Sequence, residues 1–420
     1  MSGASVPISI DVAERFSWTR EKHIARVIGA LEAAEEGSVR FVGGCVRDSL
    51  LGEASKDVDV ATRLTPERVM EALKAAGLGV APTGVEHGTV TAISDHKGVE
   101  VTTLRADVST DGRRATVAFT RDWDVDAHRR DFTINALYLT PSLELHDPVG
   151  GMEDLSARRV RFIGAPEDRI REDYLRILRF FRFSARFAST FDEAGLEACA
   201  ALKDGVKRLS AERVGDELMK LLSLPAPQGA VSAMHAKGVL AEIWPATPDI
   251  ETLARLKAIA PEACGTLAIA ALFGAAGEGV DARLRLSNVR SKRRRAAVDH
   301  AGLVDRALDE RDARALLYRV GADGWRDACL LAEAQYLAAS AAPHGRDPKF
   351  EKLLALPDVW TPPRLPFAGK DALAAGVPEG PAIAAILKVA EARWIAEDFP
   401  ARDRALAIFQ EEVQRAISKG

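Results

Sequence analysis

The amino-acid sequence predicts an α+β fold, with a mixed α/β head on the N-terminal side and an all-helical region after it. Three observations predict this division. Runs of β-branched residues are confined to roughly the first 160 residues. After residue 165, segments rich in Ala, Leu and Arg with helical spacing dominate. Only 6% of the residues are aromatic and Ala is plentiful, which favours helix over sheet.

The head is predicted to combine helices with short strands. Apolar residues recur at helical spacing within residues 12–36, which predicts a helix there. Thr65 followed by Pro66 is typical of an N-cap and a first helical turn. Two β-branched runs, GTVTAIS and VEVTTLR, flank a charged turn and predict a hairpin. The other predicted segments are strands at residues 39–42 and 58–61, a mobile polar loop over Asp107–Arg114, and a strand or buried segment with the sequence FTINALYL.

Composition excludes several classes of protein. The 420 residues carry a formal net charge of −4, so a nucleic-acid partner would need a local basic patch. A content of 47% hydrophobic and 28% charged residues is typical of a globular chain and argues against disorder. The four cysteines lie far apart without a C-x-x-C pair, which favours a reducing, cytoplasmic location over a disulfide framework or a zinc ribbon. No signal-peptide pattern and no long apolar run is present, so no membrane role is indicated.

The strongest chemical pattern is GGCVRD followed by KDVDV. Gly43 and Gly44 follow a predicted strand, where glycine lets the backbone approach a ligand and offer N–H groups to phosphate. Arg47 would add a cationic fork. Asp57 and Asp59 are two residues apart, so on one strand their carboxylates would share a face. Oxygen ligands of this kind suit Mg²⁺. A D-x-D pair alone is more often a solvated strand edge, but the glycine turn before it favours a metal site.

A third carboxylate has two candidates. Glu100 lies in VEVTTLR, which is predicted to neighbour the D-x-D strand, and could help bind metal or take a proton from an attacking hydroxyl. It could equally be an exposed strand residue. Asp131, in the sequence HRRDFTINA, is the competing candidate. Arg129 and Arg130 beside it could contact a triphosphate or a ribose, although such clusters are common on protein surfaces.

The segment EDYLRILRFFR has the pattern of an amphipathic helix. Asp173 and Arg176 are three residues apart and are predicted to be neighbours on its surface, which would also allow a simple ion pair. Because Asp only accepts hydrogen bonds and Arg only donates them, the pair matches an edge with an amino group beside a ring nitrogen acceptor. Cytosine and adenine have that edge, whereas guanine and uracil do not. Arg179 and Arg182 follow at three-residue steps and suit phosphates or a bracing role.

A basic run lies at residues 290–295, RSKRRR. Its residues Arg290, Lys292, Arg293 and Arg294 could form a solvated helix face or contact an RNA backbone.

Taken together, these motifs resemble the class II nucleotidyltransferases of the polymerase-β superfamily, and most closely the CCA-adding enzymes of tRNA. The resemblance extends over roughly residues 39–187, through GGCVRDSLLG, KDVDVAT, GVEHGTV, DPVGGMEDL and REDYLRILRFFRF. It implies a polymerase-β-type head at residues 1–160, a helical neck for base recognition at 161–228, a helical RNA-binding body at 229–345 and a helical tRNA-binding tail at 346–420.

The resemblance also implies roles for individual residues. Asp57 and Asp59 would hold Mg²⁺, with Glu100 at the third acidic position. The implied partners are tRNA, CTP and ATP, and the implied reaction releases pyrophosphate. The implied nucleotide-binding positions are Gly44, Arg47, Arg130, Asp173, Arg176, Arg179 and Arg182.

Three alternatives remain open at this point. One is a poly(A) polymerase, although TGVEHGTV lacks the basic stretch that is typical of the bacterial enzymes. Another is an enzyme restricted to CC or A addition, although the segment from Asp107 to Trp123 resembles the loop linked to the switch from C to A. The last is a helical RNA-binding protein with an inert head. The oligomeric state does not follow from the sequence.

Overall fold

A computed structural model describes residues 6–7, 9–55, 57–110, 115–340 and 345–418. It confirms the predicted fold class, because every strand of the described chain lies before residue 147 and the described residues beyond Pro166 form only helices and loops. The chain divides into two compact units, one of residues 1–221 with 229–245 and one of residues 222–228 with 246–420. The finer division into head, neck, body and tail stays a prediction.

The described residues of the first unit form ten strands. Their bounds are β1 (Val6–Pro7), β2 (Val39–Val42), β3 (Asp59–Thr62), β4 (Gly79–Gly84), β5 (Thr89–Ser94), β6 (Lys97–Thr103), β7 (Arg105–Thr110), β8 (Ala115–Phe119), β9 (Tyr138–Leu139) and β10 (Glu144–His146). Eight of them form one mixed sheet in the order β1-β10-β9-β2-β3-β6-β5-β4, and β7 pairs with β8. Within the large sheet β3 and β6 are parallel, whereas the other paired strands are antiparallel.

Helices account for most of the remaining chain. Those of the first unit are α1 (Ile10–Ala13), α2 (Lys22–Ala34), α3 (Gly44–Leu50), α4 (Pro66–Ala75), α5 (Trp123–His128), α6 (Gly151–Ser156), α7 (Pro166–Glu172), α8 (Leu175–Phe187), α9 (Glu193–Ala201), α10 (Ala211–Leu222), α11 (Gln228–Ala236) and α12 (Val239–Ile243). Those of the second unit are α13 (Ile250–Ile259), α14 (Gly265–Phe273), α15 (Val280–Arg283), α16 (Asn288–Ala301), α17 (Glu310–Ser340), α18 (Pro348–Leu354), α19 (Leu356–Val359), α20 (Gly369–Ala374), α21 (Pro381–Ala396) and α22 (Arg402–Ile417).

Most predicted elements of the head are confirmed. The hairpin of β5 and β6 turns at Asp95 and His96, which both have positive φ. Thr65 accepts a hydrogen bond from the backbone N–H of Arg68 at 3.5 Å and so caps α4. The predicted helix at 12–36 is divided, because residues 14–20 form a 3₁₀ segment before α2.

One prediction for the head needs correction. Residues 107–110 are not loop but part of β7, whose backbone groups pair with β8; residues 111–114 lie outside the described residues. The FTINALYL segment is buried as expected, but only Tyr138–Leu139 is strand, and Thr133–Asn135 form a 3₁₀ turn.

Each unit has its own apolar core. In the first unit, α8 buries one face that includes Ile177, Phe180 and Phe181. In the second unit, Trp325 and Trp394 lie at the centres of two clusters. Among the described residues no helix is long and apolar enough to cross a bilayer.

Candidate active site

A tight turn after β2 begins the site. Gly43 has φ +73° and ψ −127°, a conformation that side chains with a Cβ rarely adopt. Its N–H donates to the Leu137 carbonyl at 3.3 Å. A Cβ on Gly43 would lie 3.9 Å from the Asn135 carbonyl oxygen and 4.0 Å from Nη1 of Arg130. These are ordinary contact distances, so the positive φ rather than a lack of space favours glycine at the turn that leads into α3.

Two carboxylates face each other across the parallel strands. Asp59 is the first residue of β3 and pairs in register with Glu100 of β6, so both side chains lie on one face of the sheet. Burial raises the pKa of Asp59, and the nearby charges of Glu100 and Asp57 raise it further against the effect of Arg130. These acids are thus close enough to repel one another.

Asp57 is placed differently from the prediction. The strand begins only at Asp59, and Asp57 lies in an exposed bend where its carbonyl oxygen accepts from Oγ of Ser55 at 2.9 Å. The two aspartates therefore do not share one strand, although Asp57 still acts on the charge of Asp59. Across the described parts of the chain, no cluster of three or more acidic, His or Cys side chains is assembled as a finished metal site. Asp57, Asp59 and Glu100 nonetheless offer oxygen ligands that suit a divalent cation, and a bound cation would relieve their mutual repulsion.

The second candidate for the third carboxylate is already engaged. Asp131 accepts hydrogen bonds from the Phe132 N–H at 2.8 Å, from Asn135 Nδ2 at 3.0 Å and from Arg179 Nε at 2.7 Å. Burial would raise the pKa of Asp131, but Arg179 and Asn135 outweigh burial and lower it. This carboxylate braces its neighbours, whereas Glu100 is exposed beside Asp59.

A buried arginine, Arg47, and a half-buried one, Arg130, reach the same place. Arg47 is only 4% exposed, donates to Asp48 Oδ1 at 2.8 Å and bonds to the side-chain oxygen of Asn135. Burial lowers the pKa of Arg47, although Asp48 opposes this. Arg130 donates to Asp126 Oδ2 at 2.9 Å and to the Tyr138 hydroxyl at 3.1 Å. Both guanidiniums are held in fixed positions before any ligand arrives.

The predicted base-reading pair straddles the junction of α7 and α8. Asp173 lies between these helices rather than on α8, and Arg213 donates to its Oδ2 at 2.7 Å. Arg176, in the first turn of α8, donates to the carbonyls of Arg169 at 2.8 Å and Arg129 at 2.9 Å, and it pairs with Glu172. The Arg176 backbone N–H donates to the Asp173 carbonyl at 3.0 Å, but the two side chains do not form an ion pair. Each is instead held by other groups.

Arg179 and Arg182 are braced by a residue that the sequence motifs missed. Glu217 on α10 is 3% exposed and accepts from Arg182 Nε at 2.6 Å, with Nη1 of Arg179 at 3.9 Å. Arg213 and Asp126 were missed as well. The spacing of residues along one helix does not reveal a hydrogen-bond partner about 35 residues away in the chain, as Glu217 is for Arg182.

One cavity of about 380 Å³ joins most of these groups. Asp57, Glu100 and Arg182 do not line it. Its lining comprises Gly43, Gly44, Arg47, Asp59, Arg129, Arg130, Asp131, Asn135, Asp173, Arg176, Arg179 and Phe183. The cavity is thus surrounded by the Asp59 carboxylate, several fixed guanidiniums and the Asp173–Arg176 region. Such a lining suits a nucleoside triphosphate.

The basic run lies on α16 in the second unit. Arg290 and Lys292 are exposed. Arg293 makes two hydrogen bonds to Asp327, at 2.6 and 2.9 Å, yet stays on the surface. Arg294 is 3% exposed and makes two hydrogen bonds, at 2.6 and 3.0 Å, to one carboxylate, that of Asp281. Since the guanidinium of Arg294 is buried in this pair, it does not face a surface ligand.

Comparisons with known proteins identify relatives of this chain. Residues 39–161 match the family model "Poly A polymerase head domain", and residues 190–250 match "Probable RNA and SrmB- binding site of polymerase A". The chain is 34% identical over 375 residues to the mitochondrial CCA tRNA nucleotidyltransferase 1 of Mus musculus, covering 87% of this chain and 84% of the mouse protein. It is 44% identical over 183 residues to the CCA-adding enzyme of Oceanobacillus iheyensis, covering 43% and 45%.

Solved structures are similar over nearly the whole chain. The CCA-adding enzyme of Bacillus stearothermophilus in complex with CTP superposes with a TM-score of 0.74 at 25% identity, covering 95% of this chain and all of the other. The Thermotoga maritima CCA-adding enzyme complexed with tRNA gives a TM-score of 0.64 at 19% identity, covering 97% and 98%. The latter match shows a shared fold.

Proposed function

The chain belongs to the CCA tRNA nucleotidyltransferase family, and we propose that it adds C, C and A stepwise to the 3′ end of tRNA from CTP and ATP, without a nucleic-acid template. The observation that carries the proposal is the single cavity that holds Asp59, the fixed arginines Arg47 and Arg130, and the Asp173–Arg176 region. We assign phosphate binding to its arginines and base binding to its Asp173–Arg176 region.

Nucleotidyl transfer generally uses a divalent cation, and Mg²⁺ is the ion proposed here, held by Asp57 and Asp59. When bound, it polarises the phosphate and neutralises charge on the attacking and leaving oxygens. Glu100 is the remaining acid on that face. Its exposed carboxylate is the group proposed to take the proton of the attacking hydroxyl.

The transfer replaces the phosphoanhydride bond between the α- and β-phosphates of the nucleotide with a phosphodiester bond in the RNA. The 3′ hydroxyl oxygen of the RNA bonds to the α-phosphorus, the bond from that phosphorus to the β-phosphate oxygen breaks, and pyrophosphate leaves. Arg47 and Arg130 hold the triphosphate or the ribose. Because Asp48, Asn135 and Asp126 fix both guanidiniums in advance, little rearrangement is needed when charge develops.

Base selection is assigned to Asp173 and Arg176. Asp173 accepts from the exocyclic amino group, and Arg176 donates to the neighbouring ring nitrogen, which suits C and A but not G or U. Arg213 orients the Asp173 carboxylate, while the carbonyls of Arg129 and Arg169 orient Arg176. One pair of side chains thereby serves both nucleotides.

The second unit is proposed to hold the tRNA. The exposed side chains of Arg290, Lys292 and Arg293 suit phosphate contacts, which are independent of sequence and sensitive to salt. Arg294 is left out of that surface because it is buried against Asp281. Cytoplasmic location is retained as part of the proposal.

The deciding experiment supplies purified protein with tRNA that lacks its CCA end, together with CTP and ATP. The product should be three nucleotides longer and should not extend further. A tRNA with an intact CCA end is the matched control and should gain nothing. Continuous A tailing would point to a poly(A) polymerase, and arrest after CC or addition of A alone would point to a restricted enzyme.

A further inference from the structure

A second cavity lies at the other end of β3. Its volume is about 580 Å³. Asp59 and Arg63 are four positions apart, so about 13 Å of extended chain separates these two lining residues. No residue is shared with the lining of the catalytic cavity. The second cavity is lined by Arg40, Arg63, Thr120, Arg121, Asp122, Trp123, Asp124 and His146.

Two guanidiniums of this cavity share one aromatic ring. The central carbon of Arg40 is 4.3 Å from the Trp123 ring centroid, and that of Arg63 is 5.5 Å from it. Arg63 is further fixed by a hydrogen bond from its Nε to the Arg121 carbonyl at 2.9 Å. Two cations are therefore held close together, at a cost in mutual repulsion.

Two donors of this cluster lack acceptors. Nη1 of Arg40 and Nε1 of Trp123 are buried and have no hydrogen-bond partner within the described residues. Burial lowers the pKa of Arg40 to about 10 and the charge of Arg63 adds to that effect, whereas Tyr138, Asp124 and Glu144 oppose it. Buried donors normally have partners, so these two indicate a missing acceptor.

The acidic groups of the cavity are already engaged. Asp124 Oδ1 is 3.0 Å from His146 Nε2, and Asp122 Oδ1 accepts from the backbone N–H of Asp124 at 2.9 Å. Arg121 pairs with Glu35. Among the described residues, neither Arg40 nor Arg63 has a carboxylate at ion-pair distance.

We propose that this cavity is a second phosphate-binding site of the head, with Arg40 and Arg63 as its cationic ligands. Planar guanidinium forks match the oxygens of a phosphate better than those of a smaller anion. The phosphate is carried either by an RNA strand or by a free small molecule such as pyrophosphate. Because the cavity shares no lining residue with the catalytic one, its loss leaves the proposed chemistry intact.

The test compares R40Q/R63Q with R20Q/R26Q in the full chain. Arg20 and Arg26 line neither cavity and give the same charge change. One arm titrates pyrophosphate calorimetrically without metal. The other measures the affinity for tRNA lacking CCA over a range of salt concentrations. Thermal unfolding checks both variants, and R63Q alone replaces the double variant if that one fails to fold.

If R40Q/R63Q loses one pyrophosphate site per chain and R20Q/R26Q does not, the result supports a free phosphate ligand. A tRNA affinity about tenfold lower, with a salt slope reduced by about 0.7 to 0.9, supports an RNA phosphate. If both measurements match those of R20Q/R26Q, the site does not bind phosphate and the proposal is overturned. Whichever result is obtained, the maximal rate of CCA addition by R40Q/R63Q should equal that of R20Q/R26Q. Failure of the phosphate-site proposal is therefore distinguishable from failure of the proposed function.

Discussion

Asp59 and Glu100 lie opposite each other in neighbouring parallel strands, with their side chains on the same face of the sheet. The register brings together two acids that are 41 positions apart in the chain. Asp131, the other acid of the region, is bound by Arg179 and Asn135 instead. This difference in surroundings favours Glu100 over Asp131 as the proposed base.

Removing the charge of Glu100 tests its role in proton transfer. E100Q should lower kcat by about 10²- to 10⁴-fold with little change in KM, since a positioned base contributes that much. E71Q, an exposed glutamate of α4, is the matched control and should behave as the parent. Steady-state kinetics with CTP measure both. A parental kcat for E100Q would exclude Glu100 as the base.

Truncating Asp173 tests base selection. D173A removes the acceptor for the amino group of C and A, so incorporation of U and G should rise relative to C and A. The chemical step should survive, because Asp59 and the arginines are untouched. D168A, at an exposed position of α7, serves as the control. Competition assays with all four nucleotides give the ratio, and an unchanged preference in D173A would remove the base-reading role.

Removing Glu217 tests the brace behind the arginines of α8. Arg182 would lose its buried partner, so E217A should lower the free energy of unfolding by about 3–5 kcal/mol. D216A changes the exposed neighbour on the same helix and should cost far less. Urea denaturation compares the two. Equal stability of E217A and D216A would show that the brace contributes nothing.

Asp126 makes the head sensitive to acid. Burial alone would raise its pKa, but Arg130 and Arg129, with the Tyr138 hydroxyl, outweigh burial and hold the pKa well below its usual range. A carboxyl with a lowered folded pKa stabilises the fold above its unfolded pKa, near 3.9, and this contribution is lost as the pH falls below that value.

D126N should therefore be destabilised at pH 7 by about 3–5 kcal/mol. Its deficit relative to the parent should shrink as the pH falls from about 5 to 2. Chemical denaturation across that pH range measures the deficit. A deficit that stays constant with pH would mean that the charge of Asp126 is not what stabilises the head.

The sequence predicted local elements and the order of the motifs well, because both depend on short-range patterns. β2, the β5–β6 hairpin and the cap at Thr65 follow directly from such patterns. The position of Asp57 could not be predicted, since the bend that removes it from β3 involves a local bond to Ser55 rather than a periodicity. β7 was missed because its residues are polar and gain their strand geometry from pairing with β8.

The hydrogen-bond partners of the site residues could not be predicted from the sequence either. Arg294 belongs to an exposed-looking basic run, yet its burial depends on Asp281, which is 13 positions away. The link from Asp173 to Arg213 spans 40 positions. Such contacts arise from tertiary packing, and only the folded chain reveals which charges are free to meet a ligand.

The acidic pair Asp57 and Asp59 is tested most directly by the double variant D57N/D59N, with labelled CTP and ATP and tRNA lacking CCA. Incorporation of label should fall below detection, while tRNA binding and thermal stability stay near those of the parent. Incorporation at the parental rate would contradict the account, and would leave an RNA-binding protein whose acidic pair takes no part in chemistry.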